Sequence, residues 1–312
     1  MHSIIIPCYK SSKTIREVVT LTAEELQKLG IDSYEFILVN DCSPDEGETW
    51  RELKKLAEEY PYVRSINLAK NAGQHNALMA GLNYARGEIL VSMDDDMQTH
   101  PSQLHKLFDE LDKGYDMVYG YYPDKKHSFM RRIVSKLNDW SVRVLIGKPK
   151  WLKTSSYWVM RKYVRDYVIQ YKHSFTYMQG LILRSTSNIS NVPIEHFERS
   201  VGTSGYTIKK LFGIWASIIG FSIVPLRLVT ILGLVFAVLG FLGGIAVIIS
   251  KLLNPQMLAG WASIISCLCF FSGVSILGMG LVGEYVGRIF LSVNEAPQYV
   301  VREIVEKTQE GE

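Results

Sequence analysis

The sequence has few cysteines and almost no net charge, and each shortage argues against a class of protein. Only four cysteines occur among 312 residues, and none forms a C-x-x-C pair. A disulfide framework and a cysteine-ligated zinc site are therefore disfavoured. The 34 basic and 31 acidic residues leave a formal net charge of +3, whereas nucleic-acid-binding proteins concentrate basic residues. We expect free thiols and no nucleic-acid partner.

Glycine-rich phosphate-binding motifs are missing from the first 120 residues. Neither G-x-G-x-x-G nor G-x-x-x-x-G-K occurs there, which disfavours a dinucleotide-binding domain and a P-loop. This part instead alternates short β-branched runs with amphipathic helical patterns, as in a parallel sheet covered by helices. Strands are predicted at residues 3–6, 35–40, 63–68, 88–93 and 117–121. Ligands of such a sheet bind at the carboxyl ends of its strands.

Three adjacent aspartates, Asp94, Asp95 and Asp96, follow the fourth predicted strand, and Asp41 follows the second. Adjacent carboxylates repel one another and become favourable when a divalent cation neutralises them. If the segment is extended, Asp94 and Asp96 point to one side and Asp95 to the other. The pattern predicts a Mg²⁺ or Mn²⁺ site that also takes a nucleotide diphosphate. The alternative is a solvated acidic turn or helix cap before Pro101.

Charged residues disappear towards the carboxyl terminus. Residues 228–250 contain none, and residues 252–283 contain none but are interrupted by an Asn-Pro pair at 254–255. Helices over 228–250 and 261–283 would each be about 35 Å long, enough to cross a hydrocarbon core of about 30 Å. Two membrane spans are predicted, with buried soluble helices as the alternative. Since basic residues flank the pair of spans, both termini are expected in the cytoplasm.

Two further segments are predicted to contact the membrane. Residues 128–147 fit a helix with an apolar stripe and a basic surface, which can lie on an anionic membrane; an ordinary surface helix is the alternative. Residues 211–226 are apolar but too short to span, and are expected to form an interfacial helix. The stripe consists of Ile133, Leu137, Trp140 and Val144, and the basic residues are Arg131, Arg132, Lys136 and Arg143.

A polar loop with two glycines, residues 198–206, precedes the apolar segments. Its Arg199 suits a phosphate ligand, because the planar guanidinium donates two parallel hydrogen bonds. Lys209 and Lys210 follow and add positive charge. The loop is therefore a candidate anion-binding site, with a plain surface loop as the alternative.

Together these segments resemble the family 2 glycosyltransferases that transfer sugar to polyprenyl phosphate, which include dolichol-phosphate mannose synthase and the bactoprenol-phosphate glycosyltransferases. The resemblance spans nearly the whole chain and is closest to the bacterial subgroup with two carboxyl-terminal spans. Five segments carry it: residues 3–9 (SIIIPCY), 39–45 (VNDCSPD), 94–101 (DDDMQTHP), 198–206 (ERSVGTSGY) and 283–288 (GEYVGR).

The resemblance implies an enzyme with a GT-A, Rossmann-like catalytic domain over residues 1–210. After it come an interfacial helix at 211–226, a two-helix transmembrane domain at 227–288 and a cytoplasmic tail at 289–312. It also implies a multi-pass protein of the bacterial inner membrane, a homo-oligomer, which uses a UDP-linked sugar, a polyprenyl phosphate acceptor and Mg²⁺ or Mn²⁺. The implied residues are Pro7, Tyr9, Asp41, Asp94 and Asp95 for the donor, Asp94, Asp96 and Gln98 for the metal, and Arg131, Arg132, Arg199 and Ser204 for the acceptor phosphate.

The expected reaction is an inverting displacement in which Asp96 and Arg199 are the catalytic residues. Two departures from the family pattern limit what carries over. Residues 154–159 read TSSYWV where relatives have D-x-G-x-F-x-L, and Gly205 replaces a lysine of the acceptor loop. No general base is assigned, since a phosphate monoester is already ionised near neutral pH. The alternatives are a processive polysaccharide synthase and a non-catalytic membrane scaffold of the same fold.

Overall fold

The structure of the protein is a computed structural model. It describes residues 1–123, 142–144, 146–173, 176–195, 224–253, 260–293 and 297–307. Within these residues eight strands form one mixed sheet, and eight α-helices accompany it. In chain order the elements are β1 (His2–Cys8), α1 (Ile15–Lys28), β2 (Tyr34–Asn40), α2 (Glu48–Glu59), β3 (Val63–Leu68), α3 (Gln74–Tyr84), β4 (Ile89–Ser92), α4 (Leu104–Leu111), β5 (Met117–Tyr121), β6 (Trp158–Arg161), α5 (Lys162–Val168), α6 (Met178–Ser185), β7 (Ile189–Pro193), α7 (Val224–Leu253), α8 (Trp261–Val293) and β8 (Val301–Glu306).

The strand order across the sheet is β7-β5-β6-β4-β1-β2-β3-β8. The four central strands β4, β1, β2 and β3 are parallel neighbours, and β7 is parallel to β5. Strand β6 runs antiparallel between β4 and β5, and β8 runs antiparallel to β3. The predicted α/β class with a mostly parallel sheet is confirmed, and the five predicted strands are present with bounds close to those expected.

Alternating side chains of the central strands build a separate core on each face of the sheet. Ile4 and Ile6 pack on one face with helices α1, α2 and α4. Ile5 packs on the other with α3, α5 and α6. Helix α3 lies very close to the sheet at Gly81, where a Cβ atom would sit 2.3 Å from Cγ2 of Ile5. Glycine is required there by this close approach.

The carboxyl-terminal segment 289–312 is not wholly a tail, as the sequence analysis expected. Residues 261–293 form helix α8, so the helix continues ten residues past the predicted end of the second span. Strand β8 then extends the sheet. The largely buried Arg64 pairs with Glu306 at 2.6 Å, and Trp50 donates its indole N–H to Glu303 at 3.1 Å. These long-range contacts hold β8 against β3 and α2.

Helices α7 and α8 include the two predicted spans and contact each other through aromatic rings. Phe236 lies edge-on to Phe270 and Phe271, with ring centroids 5.6 and 5.8 Å apart. Among the described residues, one stretch, Phe270–Gly287, is long and apolar enough to cross a membrane. Of the predicted interfacial helix, residues 224–226 belong to α7, and residues 211–223 lie outside the described part of the chain.

Candidate active site

The carboxyl ends of β1, β2 and β4 meet at one edge of the sheet, and the predicted donor and metal residues follow them. Because β4, β1 and β2 are adjacent and parallel, residues separated by up to 86 positions in sequence are brought together. The backbone N–H of Tyr9, after β1, donates to the Asp95 carboxylate, after β4, at 3.0 Å. The structure therefore joins Tyr9, Asp41 and the three aspartates into one site.

Asp94 lies at the centre of this site and accepts hydrogen bonds on both carboxylate oxygens. Gln74, the first residue of α3, donates its side-chain amide to Oδ1 at 3.1 Å, and the Ser156 hydroxyl donates to Oδ2. Burial, together with the nearby charges of Asp96 and Asp95, raises the pKa of Asp94 to about 7, although these hydrogen bonds act in the opposite direction. Asp94 is thus a carboxylate whose charge remains costly despite its two hydrogen bonds and would be stabilised by a cation.

Asp95 points away from these partners and supports the loop after β1. Besides accepting the Tyr9 N–H, it accepts the Thr14 hydroxyl on its backbone carbonyl at 2.6 Å. Burial raises the pKa of the Asp95 carboxyl, while the Tyr9 N–H opposes that change. We infer from these contacts that Asp95 fixes the position of the loop that carries Tyr9.

Asp96 and Gln98 lie in a tight turn after Asp95. The Asp96 carboxylate accepts the backbone N–H of Gln98 at 3.1 Å, and the Gln98 carbonyl accepts the Tyr122 hydroxyl at 3.3 Å. Burial raises the pKa of Tyr122, and the charges of Asp94 and Asp96 raise it further, so this hydroxyl stays protonated and donates. The turn is therefore tied to the residue that directly follows β5.

Asp41 is almost fully buried and caps the loop that leads into α3. Its two carboxylate oxygens accept the backbone N–H groups of Ala72 and Gly73 at 2.6 and 2.9 Å. Burial raises the pKa of Asp41, and these two donors act against it. The resemblance assigns Asp41 to the donor. In the structure its carboxylate positions the start of the helix whose first side chain, Gln74, reaches Asp94.

Backbone strain marks the same edge of the sheet. Four non-glycine residues of the described chain have positive φ angles, and three of them, Lys10 (φ 60°), Cys42 (φ 49°) and Met97 (φ 63°), each directly follow a predicted site residue. Such conformations cost free energy and cluster at functional sites. Pro7 precedes this edge, within β1 and in register with Val39 of β2.

The donor atoms present suit a divalent cation with oxygen ligands. Within the described ranges, no three His, Cys, Asp or Glu side chains are arranged to hold a metal ion. A cation at this site would therefore rely on the carboxylates of Asp94 and Asp96 and complete its shell with water and substrate oxygens. Mg²⁺ and Mn²⁺ are commonly bound through one or two carboxylates in this way.

The predicted acceptor residues Arg131, Arg132, Arg199 and Ser204 lie outside the described residues, and so does most of the predicted helix 128–147. Its described part, residues 142–144 and 146, is helical, and Gly147 ends it with φ +76°. Val142 is buried, whereas Val144, predicted on the apolar stripe, is exposed. The described end of this helix therefore contacts the core through Val142 and not through Val144.

Sequence reasoning missed two residues that contact Asp94, namely Gln74 and Ser156. Ser156 lies two residues before β6, a strand that was not predicted, and the pairing of β6 with β4 brings its hydroxyl to the site. Gln74 opens α3 immediately after Gly73, whose φ is +85°. Gln74 could have been predicted as a site residue, because it begins a helix that follows a parallel strand, and such helices start at the edge of the sheet where ligands bind.

Two family profiles match the chain. The profile of Glycosyl transferase family 2 matches residues 3–185, and that of the GtrB C-terminal hairpin matches residues 224–289. The undecaprenyl-phosphate 4-deoxy-4-formamido-L-arabinose transferase of Edwardsiella ictaluri (strain 93-146) is 31% identical over 319 aligned positions, which cover 99% of this chain and 96% of that protein. The enzyme of the same description from Klebsiella pneumoniae (strain 342) is 30% identical, over 98% of this chain and 94% of that protein.

Solved structures give a more distant similarity. Glucosyl-3-phosphoglycerate synthase from Mycobacterium tuberculosis, in complex with Mn²⁺, UDP and phosphoglyceric acid, superposes with a TM-score of 0.49 at 17% sequence identity. The match covers 71% of this chain and 76% of that one.

Proposed function

The chain belongs to glycosyl transferase family 2, and we propose that within this family it transfers a sugar from a nucleotide-sugar, UDP-linked, to the phosphate of a membrane polyprenyl phosphate. The observation that carries the proposal is the similarity, along nearly the full length of both chains, to enzymes described as undecaprenyl-phosphate transferases. The carboxylate site at the edge of the sheet supports it, since nucleotide diphosphates and their cations bind at such edges.

We assign the donor to the edge formed by Pro7, Tyr9, Asp41, Asp94 and Asp95. The assignment is best supported for Asp94, because both of its carboxylate oxygens accept hydrogen bonds and its pKa is raised to about 7. Asp94 and Asp96, with Gln98, would hold a Mg²⁺ or Mn²⁺ ion. When bound, such a cation acts as a Lewis acid and neutralises the charge that develops on the leaving nucleotide.

We assign the acceptor phosphate to Arg199, with Arg131, Arg132 and Ser204, from the chemistry of arginine and phosphate. A phosphate monoester is ionised near neutral pH and attacks the anomeric carbon without losing a proton. The protein must therefore orient the acceptor rather than deprotonate it. Direct displacement of the nucleotide inverts the anomeric configuration.

We place helices α7 and α8 in the bacterial inner membrane as two spans, with the catalytic domain and both termini in the cytoplasm. The support is the pair of charge-free segments and the match to the hairpin profile over residues 224–289. Large apolar side chains on both helices are exposed in the isolated chain, so they face lipid or a second copy in a homo-oligomer. The exposed set includes Leu234, Leu242, Ile249, Ile276 and Met279.

The proposal is tested by measuring nucleotide released from UDP-sugars by purified protein in detergent, with and without polyprenyl phosphate. Release should depend on the lipid, and EDTA should abolish it. Asp96→Asn should nearly abolish release, because it replaces a metal carboxylate by a neutral amide. Asp112→Asn, on the exposed end of α4, is the matched control and should behave as wild type. Full activity of folded Asp96→Asn would refute the metal assignment.

A comparison of two variants tests the donor and acceptor assignments separately. Arg199→Ala should lower use of polyprenyl phosphate by about ten- to a hundredfold, the loss expected for one charge-assisted hydrogen bond, and leave nucleotide affinity unchanged. Asp41→Ala should weaken nucleotide binding measured by calorimetry without lipid. An Arg199→Ala protein that binds nucleotide poorly but uses lipid normally would contradict the acceptor assignment.

A further inference from the structure

A short turn carries an exposed tryptophan on the surface of the catalytic domain. The helical residues 142–144 and 146 end at Gly147, and the chain then turns so that the Leu152 N–H donates to the Pro149 carbonyl at 3.2 Å. At the tip of the turn Trp151 is 57% exposed. An exposed indole leaves a large apolar surface in contact with water.

The backbone beside Trp151 is firmly held. The next residue, Leu152, is 1% exposed and belongs to the core. After it, the Lys153 N–H donates to Oδ1 of Asn191 in β7 at 2.8 Å, and the Lys153 carbonyl accepts from Nδ2 of the same side chain at 2.6 Å. The turn therefore presents the indole on a fixed support.

Basic residues lie close to Trp151 in sequence, and all of them except the buried Lys148 are at least partly exposed. Residues 143–153 contain four basic and no acidic side chains, and Lys150 is exposed beside Trp151. Arg143 donates to the Lys150 carbonyl at 3.4 Å, which links the helix to the turn. Next to Arg143, Val144 is 42% exposed. An apolar and aromatic surface with exposed basic residues beside it matches an anionic membrane interface in both polarity and charge.

The turn also lies near the proposed active site. Ser156, which donates to Asp94, follows Trp151 by five residues, so their Cα atoms are at most about 18 Å apart. The Lys153 ammonium lies 4.3 Å from the ring centroid of Tyr121, at the end of β5. Contact of the turn with a membrane would bring the donor edge close to the lipid phosphates.

We propose that the surface formed by Arg143, Val144, Lys150, Trp151 and Lys153, here called the tryptophan turn, docks on the anionic lipid surface and holds the active-site edge against the membrane. Trp151 inserts at the level of the headgroups, and the lysines bind lipid phosphates. This inference rests on the membrane placement of α7 and α8 proposed above. It adds a membrane contact to that of the two spans, extends the contact predicted for residues 128–147 to the following turn, and is independent of the acceptor lipid.

The test uses the full chain in phosphatidylcholine vesicles without polyprenyl phosphate, in which some lipids carry bromine near the headgroup as a fluorescence quencher. The fluorescence emission of one tryptophan is obtained by subtracting the emission of its phenylalanine variant from that of the wild type. The emission of Trp151 obtained in this way should be quenched by the brominated lipids, and the quenching should be stronger when the vesicles include phosphatidylglycerol. Trp50→Phe is the matched control, since Trp50 lies on α2 beside β8, at the opposite edge of the sheet, and should show no quenching.

Insertion of the hairpin is checked separately by Ile276→Trp, at a residue of α8 that is 71% exposed, in vesicles whose lipids carry bromine along the acyl chains. If the added tryptophan is quenched and Trp151 is not, the docking inference is wrong and the membrane hairpin stands. If neither is quenched, the membrane placement itself is wrong. Quenching of Trp151 that does not depend on phosphatidylglycerol would contradict the anionic-lipid assignment.

A kinetic measurement tests the role of the cations. Lys150→Gln should raise the KM for polyprenyl phosphate about fivefold in vesicles with phosphatidylglycerol, the factor given by about 1 kcal/mol per basic residue at an anionic surface. In vesicles of phosphatidylcholine alone its KM should equal that of wild type. An equal rise in both kinds of vesicle would contradict lipid docking by Lys150.

Discussion

Replacing Ser156 by alanine tests whether the hydrogen bonds around Asp94 matter for donor binding. The Ser156 hydroxyl donates to Oδ2 of Asp94, and its loss leaves Gln74, at 3.1 Å, as the remaining side-chain donor of this pair. A hydrogen bond to a charged group contributes about 1.5 to 3 kcal/mol. We therefore expect Ser156→Ala to lower kcat/KM for the nucleotide-sugar by about ten- to a hundredfold, measured by nucleotide release.

Ser155→Ala is the matched control. The Ser155 hydroxyl lies one residue earlier and has main-chain carbonyls as its acceptors, that of Gly120 at 2.6 Å and, alternatively, that of Tyr157 at 3.0 Å. Its loss should lower the melting temperature and leave the donor kinetics close to wild type. Ser156→Thr keeps a hydroxyl and should recover most of the activity. Wild-type donor kinetics in a folded Ser156→Ala protein would refute the role given to this contact.

Two further predictions concern stability, measured by thermal unfolding in detergent. Gly81→Ala should destabilise the protein by about 1 to 3 kcal/mol through overpacking, although alanine favours helices, because the new Cβ would lie 2.3 Å from Ile5; a raised melting temperature would contradict this packing. Burial lowers the pKa of His75 to about 4 from an ordinary value of 6.5, so stability that is fully present above pH 6.5 is lost progressively as the pH falls from 6.5 to 4, by up to about 3 kcal/mol. His75→Phe keeps an aromatic ring against Tyr177 and should show a smaller fall in melting temperature between pH 7 and pH 4.5; an unchanged fall would contradict the assignment to His75.

The first five strands could be predicted because each is a short apolar run next to a helical pattern, so the local sequence contains the information. Strands β6 and β8 could not. Strand β6 has four residues and is stabilised by pairing with both β4 and β5. Strand β8 alternates exposed and half-buried side chains and pairs with a strand more than 230 residues earlier. Such contacts follow from tertiary structure and leave little local signal.

The difference between local signals and tertiary contacts also explains which site residues could be predicted. The aspartates after β4 were predicted because adjacent carboxylates at a strand end are costly and conspicuous. Their partners were not, since Ser156 reaches Asp94 only through the pairing of β6, and Asp41 reaches Ala72 and Gly73 only through the packing of α3 on the sheet. The turn that carries Trp151 was missed for a related reason. The turn is a candidate membrane contact because the Trp151 side chain is exposed, and the sequence alone does not show which tryptophan side chains are buried.

The most direct test of the proposed function is the mass of the lipid product formed from polyprenyl phosphate and a panel of nucleotide-sugars. The account predicts that one donor gives a lipid heavier by a single glycosyl residue, joined through the phosphate, and that Asp96→Asn gives none. Lipid carrying several sugars would indicate a polymerising synthase. Free sugar with unchanged lipid would indicate hydrolysis, and absence of any reaction with every donor would indicate a non-catalytic protein. Each of these three results would contradict transfer of one sugar to a lipid phosphate.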